Sequence, residues 1–231
     1  MTIVAIHQPN YLPWLGFFKK IADADIFVFL DDVQYSKNSY TNRVKVLHAG
    51  EPRWLTLPVS FNFGDKINAV KTPLADWPKR HLDSLKAYYR QAPCFHDVWP
   101  EVELLYADLP DNSISEINTT LIKRICARLH VECTFEQSSS IKLGDKKGGE
   151  RLVRIVKYLA PKGTYLSGDG GAKYQNENTF SSAGIELAYR SFAHPTYSQQ
   201  SRTFIPGLSV LDAVFNIGWF KTADILTDCP A

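Results

Sequence analysis

The sequence contains no apolar run approaching the roughly 20 residues that a helix needs to cross a membrane. It holds one methionine and four cysteines, Cys94, Cys126, Cys133 and Cys229, with no CxxC pair. His130 and Cys133 have HxxC spacing, but no second ligand pair accompanies them, so no zinc site is expected and the thiols read as reduced and structural. The formal net charge is only +2. The basic clusters KRH at 79–81 and KK at 146–147 are too short for a nucleic-acid footprint, so generic nucleic-acid binding is not expected. Nothing ahead of the first hydrophobic run has the basic stretch, apolar stretch and cleavage site of a secretory leader, so a cytoplasmic protein is expected. Also missing are GxxxxGK[ST], GxGxxG, a GxSxG elbow, HExxH, the kinase motifs and an EF-hand loop, and no Ser or Cys nucleophile can be assigned. Internal repeats, low-complexity tracts and long linkers are absent, which predicts one domain over residues 1–231.

What is present is a globular composition, 45% hydrophobic and 22% charged, with aromatics at 13%. Several rings stand in polar company: Tyr11, Trp14, Tyr35, Tyr40, Trp54, Tyr174 and Tyr197. That pattern suits the wall of a pocket as well as a core of large rings.

TIVAIHQ (2–8) and DIFVFLDD (25–32) are unbroken apolar runs rich in strand formers, and WLGFFKKIADA between them has helical spacing. Strand, short helix and strand within about 30 residues make a βαβ unit and predict a parallel sheet. YTNRVKVL, RWLTLPVSF and INAVKTPL are short and alternating, and predict an antiparallel insertion over about 38–75. A helical region follows over about 78–130. Its parts are KRHLDSLKAYYRQ, VWPEVELLYADL with Pro100 in the first turn, and SISEINTTLIKRICARLHV, opened by the Ser113 and Glu116 capping box. CTFEQS, TYLSG and ELAYRSF read as further strands, and GGERLVRIVKYLA and SVLDAVFNIGW as helices. The predicted class is α/β: a mostly parallel sheet with flanking helices, a β-rich antiparallel insertion near 40–75 and a helical middle.

Ligands of open parallel sheets lie beyond the carboxyl ends of the strands. Three polar clusters fall at such ends: His7 with Gln8 and Asn10, Asp31 with Asp32, and Ser167 with Gly168, Asp169, Gly170 and Gly171. A fourth, NSYTNRVK (38–45), follows the acids. At least two of the four are expected to share a pocket. Pro9 and Pro13 restrict the backbone around Asn10, Tyr11 and Trp14, and would aim His7 and Asn10 one way at the start of a helix that favours anions. The plainer reading makes His7 a hydrogen-bonded core residue. Asp31 and Asp32 are suited to a metal, a sugar hydroxyl or a base role, or simply to capping a turn, and as neighbours on a strand they point oppositely. Asn42, Arg43 and Lys45 supply donors for phosphate or carboxylate. His194, Pro195 and Tyr197 form a second rigid polar-aromatic loop. Asp212 and Asn216, one turn apart on an apolar helix, require partners and either anchor a loop or face the pocket.

Taken in order, HQPNYLPWLGFF, ADIFVFLDDVQY, SYTNR, TYLSGDGGAKY, HPTYSQ and FIPGLSVLDAVFNIG resemble the WbqC-like proteins over nearly the whole chain. The resemblance implies a place in O-antigen or other surface-polysaccharide biosynthesis. It also implies transfer of glycine or another acyl group to the amine of an amino sugar. Strand, HQPN, helix and strand is also similar to the HxGH region of nucleotidylyltransferases and class I aminoacyl-tRNA synthetases. There, His7 and Asn10 would meet ATP phosphates, although Pro9 stands where that motif has glycine and no KMSKS-like loop is present. On these resemblances the expected partner is a nucleotide-linked amino sugar, with ATP, an activated acyl donor or a charged tRNA supplying the acyl group. His7 would serve as base or phosphate contact, Asp31 would orient the sugar, and Arg43 would grip a phosphate. Backbone donors at 167–171, with Ser167, Gly168 and Gly170, would face the oxyanion. Asn10, Tyr11, Trp14, Asp32, Asn42, Lys45, Tyr174, His194 and Tyr197 would complete the pocket. A non-catalytic nucleotide-sugar-binding or assembly protein of the same pathway is the alternative.

Overall fold

A computed structural model describes residues 1–73, 75–110, 113–142, 144, 146–172 and 175–227. The chain opens with β1 (Ile3–His7), α1 (Leu15–Ala22) and β2 (Ile26–Phe29), the βαβ unit the apolar runs predict. A hairpin follows, β3 (Arg43–His48) with β4 (Glu51–Thr56). Three helices come next, α2 (Trp77–Tyr89), α3 (Phe95–Tyr106) and α4 (Ile114–Arg128). Then come β5 (Thr134–Gln137), α5 (Gly148–Leu159), β6 (Thr164–Gly168), the short turns α6 (Asp169–Ala172) and α7 (Glu177–Ser181), β7 (Glu186–Arg190) and α8 (Val210–Thr227), which breaks at Gly218.

The five strands outside the hairpin pair in parallel in the order β5-β2-β1-β6-β7. In order of occurrence these are the third, second, first, fourth and fifth strands of the sheet. That is the doubly wound order, and it reverses direction between β1 and β6. Period-two alternation assigns the faces. Ala5, Phe27, Phe29 and Leu166 enter the larger core with α1, the helical middle and α8. Val4, Ile6, Val28 and Tyr165 enter a smaller one beneath α5 and α7. Both faces are covered, which is why β1 and β2 read as continuous apolar runs.

Ser113 caps α4 as predicted, its hydroxyl accepting from the Glu116 amide, and Ile114, Ile117, Leu121, Ile125 and Leu129 are all buried. Two expectations change. INAVKTPL is not a strand: Ile67–Ala69 is a 3-10 turn, and the buried Ile67 and Val70 stand three apart, the period of that helix. α3 begins at Phe95, so Pro100 lies inside the helix rather than in its first turn. The stacking of Phe95 on Phe215 (centroids 5.8 Å apart) holds that extra N-terminal turn in place.

Candidate active site

The proline-framed turn after β1 is clamped from below. Asn118 on α4 donates from Nδ2 to the carbonyls of Pro9 (2.9 Å) and Thr41 (2.7 Å). The Tyr11 amide bonds the Tyr40 carbonyl, and Leu12 adopts a positive φ of 41°. Tyr11 itself points into the core, where its hydroxyl meets His81 Nδ1 (2.6 Å) and the Tyr106 hydroxyl (2.7 Å). His81 Nε2 faces the Thr56 carbonyl at 3.1 Å, which can only accept, so Nε2 carries the proton and Nδ1 accepts from Tyr11. Tyr106 must then donate to Tyr11. The rigid aromatic turn is therefore largely scaffolding. It holds His7 and Trp14 at the mouth of the sheet.

Where the strand order reverses, a cavity of about 480 Å³ opens beyond the ends of β1, β6 and β7. His7, Trp14, Ser167, Gly168 and Gly170 line it together, so two of the four predicted clusters share a pocket. His7 meets the edge of Phe17 at 5.0 Å, and its Nδ1 lies 2.9 Å from the Gln8 carbonyl. Nδ1–H therefore donates, leaving the Nε2 lone pair bare. Burial, with help from the nearby Lys20 charge, lowers the His7 pKa to about 4. Trp14 stacks on His194 (4.9 Å) and meets Phe192 edge-on (5.2 Å). This aromatic wall needs Gly16, because a Cβ there would lie 2.3 Å from the indole. Gly171 is similarly constrained, with Ser167 Oγ 2.3 Å from where its Cβ would be.

Other predicted residues lie elsewhere. Asp31 is not in this cavity. It is buried, with Oδ1 accepting from Ser138 Oγ (3.1 Å) and the Ser139 amide (2.9 Å) and Oδ2 from Ser139 Oγ (2.6 Å), so it fastens β2 to the turn after β5. Asp32 faces a neighbouring cleft of about 640 Å³ with Lys66, Lys147 and Arg151, and is ion-paired to Arg151. Asn10 is buried in its turn, and Asn42 is buried with Nδ2 on the Leu57 carbonyl at 3.2 Å. Arg43 and Lys45 lie over Trp54 on the hairpin, 4.1 and 5.4 Å from the ring centre. Tyr197 donates to Asp212 (2.9 Å), which also accepts from Tyr89 and Gln199, so Asp212 anchors the 197–205 loop. Tyr174 lies outside the described residues.

The cavity also holds Asp169 of the third cluster, and residues that the motifs passed over: Phe17, Lys20, Tyr165, Arg190 and Phe192. Lys20 carried a signal, because it stands three residues after Phe17 on the face of α1 that packs inward. Residues 8–224 match the WbqC-like protein family. The chain belongs to that family. It is also 31% identical over 232 residues to the uncharacterized protein Rv1507c of Mycobacterium tuberculosis (strain ATCC 25618 / H37Rv), an alignment that covers 99% of each chain. As a WbqC-like protein it carries its cavity at the point that doubly wound sheets use for ligands. No helix among the described residues is long and apolar enough to cross a membrane.

Proposed function

We propose that this WbqC-like protein is an enzyme of O-antigen or related surface-polysaccharide biosynthesis. It transfers an aminoacyl group, such as glycyl, or another acyl group to the amine of a nucleotide-linked amino sugar. One observation carries the reading. A neutral imidazole, a part-buried lysine, a hydroxyl and a glycine-rich helix start converge at the strand-order reversal, beside an aromatic wall. Amide formation needs a group that takes a proton from the amine and donors that meet the oxyanion on the acyl carbon. Ser167 and the main-chain amides at 168–171 fill the second role. Arg190 answers the charge of the sugar nucleotide's phosphates, and Trp14 with Phe192 and His194 offers rings for stacking. The donor is activated as an acyl phosphate, adenylate, thioester or charged tRNA.

The test is incubation with dTDP-linked amino sugars and either glycine with ATP or glycyl-tRNA, read by mass spectrometry. A sugar nucleotide heavier by the acyl group supports the enzyme. Calorimetric binding of the sugar nucleotide without product from any donor contradicts it and supports a carrier in the same pathway.

A further inference from the structure

Three cations reach the cavity from α1 and β7, and they are not equivalent. Lys19 Nζ lies 2.7 Å from Asp23 Oδ1, and Arg190 Nε contacts the other oxygen of the same carboxylate at 3.1 Å. Lys20 has no carboxylate partner among the described residues. Its Nζ lies 2.9 Å from the Ile6 carbonyl, one residue from His7, and its side chain lines the cavity. It shares the cavity wall with His7 from β1, Tyr165 and Asp169 from β6 and the turn after it, and Arg190 from β7. Asp169 makes no ion pair with it.

Resting on the acyl-transfer reading above, we infer that Lys20 is the catalytic base that takes the proton from the attacking sugar amine. The geometry leaves its lone pair free, because a neutral amine still donates one N–H to the Ile6 carbonyl. Burial lowers its pKa to about 8, so about a tenth of the protein carries the neutral form at pH 7. His7 is the weaker candidate. With its pKa near 4 it is neutral throughout the physiological range, but it accepts an ammonium proton only far uphill. His7 Nε2 instead presents a fixed acceptor to the substrate.

The step balances within the site. The amine lone pair forms the new N–C bond while the acyl carbonyl pair moves onto oxygen, opposite the 168–171 amides. The amine proton passes to Lys20 Nζ. Collapse then expels the donor's leaving group with its bonding pair, and Lys20 returns the proton to that group or to water.

Two measurements test this. In Lys20→Arg the charge stays but the base is lost. Calorimetric binding of the sugar nucleotide is expected to persist while kcat falls on the order of 10²- to 10⁴-fold. The alkaline rise of the kcat–pH profile is expected to vanish, and added primary alkylamines should restore turnover to Lys20→Ala. Wild-type turnover in Lys20→Arg, or a retained alkaline limb, overturns the role. The second measurement needs no turnover: trace acetylation of the intact protein from pH 6 to 10, read per lysine by mass spectrometry. Lys20 is expected to titrate near 8, below the surface lysines, and titration with the surface lysines overturns the inference. If no donor and acceptor yield product with the wild type, the acyl-transfer reading falls, while the acetylation profile still decides the state of Lys20.

Discussion

At the scale of single residues, burial decides which chemistry is available. His81 shows this away from the cavity. It is buried, its two nitrogens are committed to Tyr11 and Thr56, and desolvation holds its pKa at about 4. The unfolded chain binds a proton near the ordinary value of 6.5, so between pH 6.5 and 4 the unfolded state is the more protonated one. Stability from this group is therefore fully present above about pH 6.5 and is lost as pH falls toward 4, by about 2–3 kcal/mol at pH 4.5. Urea titrations should show that the stability difference between pH 7 and pH 4.5 shrinks by about that amount in His81→Asn, and an unchanged difference would contradict the assignment. The sequence allowed His7 to be either a core residue or a site residue, and it proves to be part-buried at the cavity wall. It could not place Asp31, because a carboxylate at a strand end looks the same whether it meets a ligand or two serines more than a hundred positions away.

At the scale of elements, local pattern was a good guide and long-range clamps were hidden. β1, α1, β2, α4 and α5 follow from apolar periodicity, the Ser113 cap and the Gly148-Gly149 start. The 3-10 turn at Ile67–Ala69 was missed because a three-residue apolar spacing inside a short segment imitates a strand edge. Pro9 and Pro13 declared a rigid turn, but the group that fixes it, Asn118, sits in the middle of a helix over 100 residues later. Asn118→Ala would leave two buried carbonyls without a donor, at a cost of about 1–3 kcal/mol. The expected result is a lower urea midpoint, with weaker sugar-nucleotide binding as the turn beneath His7 loosens. An unchanged midpoint would show that the turn holds itself.

At the scale of the molecule, the strand order unites the separate clues. β1 and β6 are more than 150 residues apart in sequence, yet they pair directly, and the order reverses between them. Ser167 and the glycines thereby come beside His7, while Asp32 is carried to the cleft beyond β2 and β5. Parallel strands and flanking helices were legible in the apolar runs. The order of the strands was not, because it is set by which crossover helix covers which face. The cavity between the ends of β1 and β6 is the centre of this account. A crystal structure of the protein with a nucleotide-linked amino sugar tests it most directly. The account predicts the diphosphate beside Arg190 and the sugar amine within hydrogen-bonding reach of Lys20 Nζ. A ligand seated instead in the Asp32 cleft or against the Trp54 hairpin, with the His7 cavity empty, would contradict it.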